Sequence, residues 1–200
     1  MMQSVALAHA YRLLNHGPTV LVGAAHGARV NVMAAAWAMP LDFDTPKVAV
    51  VIDKATYTRE LIEASDVFSL QVPTVAMADA VMALGSMSGR EHLDKLARCG
   101  VTVSMAAVPG PAEPERAVPL VQGCTAWLVC RTLPATEHVA GVHDLFLGEV
   151  LAAWSDARVF SDGRWHFEQA DANLRSLHHI AGGQFYATGV AVRGQAPQAD

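Results

Sequence analysis

The chain has no basic stripe and no run of like charge; only 16% of its residues are charged, and the formal net charge is -5. Nucleic acid and anionic membrane surfaces are therefore not expected partners, because both attract concentrated positive charge. Cysteine is scarce, with Cys99, Cys124 and Cys130 and no CxxC pair. On an extended strand Cys124 and Cys130 would lie about 20 Å apart, too far for a bridge. All three read as small buried apolar residues in a reducing compartment. No apolar run reaches the roughly 18 residues of a spanning helix. The start MMQSVALAHAYRLLN lacks a basic region followed by a continuous apolar core, so a cytoplasmic location is expected.

Catalytic signatures are equally sparse. The chain contains no P-loop, no GxGxxG element and no GxSxG elbow. Nine histidines are present, but His138 and His143 are five apart and His178-His179 are adjacent. Neither spacing matches HExxH or a Cys/His finger, so no metal is expected. No carboxylate pair is marked out for acid–base work. A protein whose chemistry belongs to a bound cofactor does not need such groups.

What is present is a hydrophobic chain without repeats. Its 200 residues, 52% of them hydrophobic, suffice for one well-cored domain, expected over 1–192 with a disordered tail at 193–200. Residues 4–15 show helical spacing. Thr19–Ala25 and Val30–Met39 read as a hairpin across His26–Arg29, and Lys47–Ile52 as a third strand. A loop at Asp53–Thr58 feeds a short helix, with Val67–Val72 returning to strand. Residues 75–84 read as helix, broken at Gly85–Arg90, and Glu91–Ala97 as another. Residues 109–116 form the clearest loop. Gly123–Leu133 and Val142–Ala153 are long β-rich runs joined across Pro134–Gly141, and short segments follow at Arg164–Glu168 and Gln184–Ala187. This order suggests an α+β, mainly β fold: an antiparallel sheet closed into a barrel, with short helices between strands.

Two local features carry chemistry. A helix start near Thr56 offers free N–H groups and the positive end of the dipole, which suit a phosphate. Thr56 and Thr58 add hydroxyls and Lys54 adds charge; the alternative is that Thr56 or Asp53 simply caps the helix. Ser86-Met87-Ser88-Gly89 is a small-residue turn that either cradles a ligand edge with backbone N–H groups or merely reverses the chain.

Several segments taken together resemble the flavin reductase-like family, the FMN-binding split-barrel group that includes flavoredoxin and the small flavin:NAD(P)H reductases. They are Val32-Met33-Ala34-Ala35-Ala36-Trp37 with Pro40 and Pro46; Lys54-Ala55-Thr56-Tyr57-Thr58; Gly85–Arg90 with Asp94-Lys95; Gly141–Val150; and His178–Ala187. The last looks most like the flavoredoxin branch. The resemblance implies a split β-barrel of antiparallel, Greek-key type with short peripheral helices, holding FMN, or alternatively FAD. It implies that Met33, Ala34, Ala35, Ala36 and Trp37 run beside the isoalloxazine and offer it main-chain groups. Lys54, Thr56, Tyr57 and Thr58 would take the phosphate, and Ser86, Ser88 and Gly89 would close over the flavin. Lys95 would reach the phosphate or a partner subunit, since members are typically homodimers with the flavin near the interface.

There are departures. Relatives often carry Asn, Ser or Thr where this chain has Ala34–Ala36, and Gly-Asp-His where it has Gly141-Val142-His143. His143 is the candidate catalytic residue, facing flavin or nicotinamide, or else a satisfied barrel residue. The expected activity is hydride transfer from NAD(P)H to flavin N5. The alternatives are an FMN-containing carrier serving an electron-acceptor protein and reduced by a partner, and a flavin-binding module without turnover.

Overall fold

The computed structural model describes residues 1–110 and 116–195. It begins with β1 (Met2–Ser4), α1 (Leu7–Ala10), β2 (Val20–His26), β3 (Arg29–Ala35), β4 (Ala38–Phe43) and β5 (Pro46–Val51). Next come α2 (Tyr57–Ser65), β6 (Val67–Val72), α3 (Ala78–Ser86), α4 (Lys95–Arg98), β7 (Val103–Ala107) and β8 (Ala117–Val121). After these follow β9 (Ala126–Thr132), α5 (Thr136–His143), β10 (Leu145–Asp156), β11 (Phe160–Ser161), β12 (Arg164–Trp165), β13 (Leu177–Ala181) and β14 (Gln184–Ala187).

Eight strands form one antiparallel sheet, ordered β3-β2-β6-β9-β10-β5-β4 with β1 added against β10. It curves into a split β-barrel, and the hairpins β7-β8, β11-β12 and β13-β14 lie outside it. The pleat divides two cores. Val20, Val22, Phe68, Leu70, Leu128 and Phe146 pack inside, while Leu21, Val67, Trp127 and Val129 pack outward with Val118, Leu120 and Val121 of β8. With both faces covered, β2 and most of β9 read as apolar runs, and the two polar residues of β6, Ser69 and Gln71, are buried and hydrogen-bonded to the backbone of β8 at Pro119 and Val121. Gly23 lets β8 come this close: a Cβ there would lie 2.5 Å from Ser69 Oγ and 2.9 Å from the Pro119 carbonyl oxygen.

The observed elements depart from the sequence expectation in five places. The Val30–Met39 run is two strands, because the chain turns at Ala36-Trp37, and β4 continues through Pro40. It can do so because β4 ends the sheet, where a missing N–H breaks no ladder, and the register shifts between Pro40 and Asp42. Pro134–Gly141 is largely α5, which ends at His143 when Asp144 turns left-handed at φ 55°; β10 starts only at Leu145. The start of the chain is β1, a single helical turn and a 3₁₀ turn in place of one helix. The helix expected over Glu91–Ala97 is instead Lys95–Arg98. The β7-β8 hairpin was not expected at all, and most of the 109–116 loop between its strands, 111–115, lies outside the described residues, as does 196–200 of the expected tail. Among the described residues no helix is long and apolar enough to cross a membrane.

Candidate flavin cleft

Because β3 is a terminal strand, hydrogen-bonded among the described residues only to β2, its other backbone edge carries N–H and C=O groups without a strand partner there. A cleft runs along that edge. Its wide end is a cavity of about 630 Å³ lined by Met33, Ala34, Ala35, Ala36 and Trp37 on one side. Val81, Met82, His143, His179 and Phe185 close the others. Its narrow end is a cavity of about 410 Å³ lined by Asn31, Thr56, Tyr57, Thr58, Ser88 and Lys95 among others. Met33, Ala34, Asp53, Gly85 and Ser86 line both, so the two are one continuous space. Small side chains on β3 leave its backbone open to a flat ligand, and α3 packs closely there: a Cβ on Gly85 would lie 3.5 Å from Ala34 Cβ.

The narrow end has features that suit an anion. Thr56 occupies the N-cap position of α2 but makes no capping hydrogen bond. Its hydroxyl donates to the Asp53 carbonyl at 2.8 Å, and the Asp53 carboxylate accepts the Ala55 N–H at 2.7 Å. The loop thus satisfies itself and leaves the first-turn N–H groups of α2 without a side-chain cap. Lys95 is 3% exposed and forms no side-chain hydrogen bond or ion pair among the described residues. Burial pushes its ammonium below the usual lysine range, with the neighbouring Cys99 a smaller opposing influence. A buried cation lacking a counter-ion is costly until an anion arrives. Asn31 Oδ1 is also buried without a partner. Gly89 folds over it so closely that a Cβ there would fall 2.4 Å away, while Arg90 pairs with Glu60 and lies 5.9 Å from the Tyr57 ring centre, fixing the turn to α2.

Residues 12–172 match the flavin reductase like domain. The chain belongs to the flavin reductase-like family. The uncharacterized protein YddH of Escherichia coli (strain K12) is 46% identical over 191 residues, 94% of this chain and 95% of the relative. The crystal structure of an FMN-binding domain of a flavin reductases-like enzyme from Shewanella baltica OS155 superposes with a TM-score of 0.90 at 48% identity, covering 98% of each chain. Flavoredoxin of Desulfovibrio vulgaris (Miyazaki F) gives 0.69 at 26% identity, covering 89% of this chain and 90% of that one. The split barrel of this family is therefore an FMN-binding fold.

Of the residues singled out in the sequence, the structure gathers Met33–Trp37 and His143 at the wide end. Thr56, Tyr57, Thr58, Ser86, Ser88, Gly89 and Lys95 gather at the narrow end. Lys54 is exposed and lines neither, because the 53–56 turn aims it outward. Asp144, next to His143, is engaged by Arg59. Sequence reasoning passed over Asn31, Thr19, His179 and Phe185. Asn31 had a signal of sorts, a lone amide inside the Val30-Asn31-Val32 run. Thr19 directly precedes β2, and His179 and Phe185 come from the β13-β14 hairpin it helps to seat: the His179 N–H donates to Thr19 Oγ1 at 2.8 Å, and the His179 and Phe185 rings meet at 5.4 Å.

Proposed function

We propose that this chain is an FMN-dependent oxidoreductase that takes hydride from NAD(P)H. The observation that carries the reading is the continuous cleft, apolar and bordered by an unpaired strand edge at one end, and supplied at the other with a helix start and a buried lysine without a counter-ion. FMN has the same division, a flat ring system and a dianionic phosphate. When bound, it supplies the redox chemistry by accepting hydride at N5.

The chain's own residues bind and orient. The unpaired edge of β3 hydrogen-bonds the polar rim of the ring, and Ala34–Ala36 permit close approach. Thr58, Lys95 and the first turn of α2 hold the phosphate. His143, His179 and Phe185 border the remaining space of the wide end, where a nicotinamide would stack, and shield it from water. His143, the candidate catalytic residue of the sequence, lines this space.

Trp37, just before β4, and Met39, Leu41 and Phe43 on β4 are exposed apolar side chains close together in the chain, with Trp37 74% and Phe43 67% exposed. Exposed apolar side chains on an edge strand suit a second copy of the chain, and Trp37 would bring that interface to the rim of the cleft.

The test begins with the visible spectrum of purified protein before and after FMN addition and desalting. Flavin bands that survive at close to one per chain, followed by NADH or NADPH oxidation, would support the reading. Retained flavin without such oxidation, but with cycling by a reductase partner, would replace it with the carrier reading; absence of retained flavin and of activity with added FMN would reject it. Sedimentation of the same sample tests the dimer.

A further inference from the structure

Asn31 on β3 and Thr58 on α2 are enclosed, 2% and 0% exposed, and meet at the floor of the narrow cavity. Asn31 Nδ2 donates to Thr58 Oγ1 at 2.8 Å. A hydroxyl has one proton and two lone pairs. With an amide N–H occupying a lone pair, the Thr58 hydroxyl must act as an acceptor toward Asn31 and can direct its own proton only elsewhere. Among the described residues it makes no other hydrogen bond, so the proton is left for whatever fills the cavity. Asn31 sits opposite Ala24 in the β2-β3 register, and Gly89 packs over its Oδ1. The orphaned Oδ1 is the cost of this arrangement, since pairing it with the Thr58 proton would satisfy the acceptor but remove the donor from the cavity.

From this pairing we infer that Asn31 is a positioning residue: it orients the Thr58 hydroxyl as a donor to the phosphate of FMN and so sets a preference for phosphorylated over unphosphorylated flavin. The inference rests on the flavin reading above and deepens it. Asn31 needs no contact with the ligand; it acts through Thr58.

The experiment is a fluorescence-quenching titration of apoprotein with FMN and with riboflavin, using wild type, N31D, T58V and the double variant. Asn31→Asp keeps the shape but accepts the Thr58 proton, reversing the hydroxyl. The expected result is a loss of FMN affinity of about a hundredfold for N31D in the wild-type background, and no more than about tenfold in the T58V background, where no hydroxyl remains to reverse. Riboflavin affinity should stay within about threefold throughout. Equal losses in both backgrounds would mean simple charge repulsion and would overturn the inference while leaving the flavin reading standing. Wild-type protein that binds neither ligand would overturn both. Circular dichroism melts verify folding of each variant. If N31D does not fold, N31A removes the amide donor without adding charge, and its smaller FMN loss must likewise shrink in the T58V background; additive losses would again overturn the inference.

Discussion

Arg59 on α2 and Asp144, just past α5, form an ion pair that ties the narrow end of the cleft to the wide end. The guanidinium is almost fully used: Nε donates to Glu63 at 2.7 Å, Nη1 also to the Ile52 carbonyl at 3.2 Å, and Nη2 to the Ala140 carbonyl at 3.1 Å. It lies 5.3 Å from the centre of the Phe146 ring. One side chain thus fixes the end of β5 before Asp53, the first turn of α2 after Thr58, and the end of α5 that presents His143.

Lysine cannot replace this fork, because an ammonium is a point charge without a planar set of donors. Arg59→Lys should lower stability by about 1–3 kcal/mol, the scale of losing hydrogen bonds made by a charged group. Urea unfolding of the apoprotein measures it, and an unchanged midpoint would show that the clamp contributes nothing to stability.

Lys95 makes a prediction with two opposite signs. Lys95→Met removes a buried, unpartnered cation, so the apoprotein should be as stable as wild type or more so. FMN affinity should nevertheless fall by about 1.5–3 kcal/mol through loss of a charge-assisted hydrogen bond. Because burial holds the Lys95 pKa below its usual value, wild-type FMN affinity should decline as pH rises through that lowered pKa, and the variant should lack the decline. Parallel melts and titrations across alkaline pH check both signs; a variant that loses stability yet binds FMN normally would contradict the assignment.

Much of the cleft was legible because its signals are local. Alanines on a β run, hydroxyls at a helix start and a Ser/Gly turn each mark one wall, and their order along the chain marks the family. The barrel strands were legible for the same reason, since Val67–Val72 and Ala126–Thr132 are rich in apolar residues and mostly buried on both faces. What was not legible depends on distant partners. β4 passes through Pro40 only because it lies at a sheet edge, and α5 needs Arg59 and the left-handed Asp144 to end where it does. Asn31 looks like any strand residue until Thr58, 27 positions away, is seen beneath it.

Ala36 tests the wide end of the cleft without disturbing the core. Ala35 packs partly against the inner core, whereas Ala36 lies beyond the end of β3, is exposed, and still lines the wide cavity. Ala36→Leu should therefore weaken FMN binding by tenfold or more through obstruction while changing stability by no more than about 0.5 kcal/mol. Titration and a thermal melt of the same preparation measure both. Normal FMN affinity would place the ring away from this strand.

His16 predicts an acid-side instability that does not involve the flavin. Burial, and secondarily His178, push its pKa down to about 4 from the usual 6.5. Its Nε2 is bonded to Ser176 Oγ at 2.9 Å, its Nδ1 is buried without a partner, and the Trp165 ring lies 5.1 Å away. An added proton thus has nowhere favourable to go. Because the unfolded chain takes up that proton near pH 6.5 and the folded one only near 4, stability is complete above about pH 6.5 and falls as pH drops toward 4. The full loss is about 3 kcal/mol. Asp156 acts in a different window: hydrogen bonds from Arg158 hold its carboxyl below the usual carboxylate range, so its contribution disappears only as the solution becomes more acidic than that range. Urea midpoints of the apoprotein between pH 7 and 4 should therefore decline in wild type and stay nearly level in His16→Gln. A parallel decline in both proteins would assign the acid sensitivity to another group.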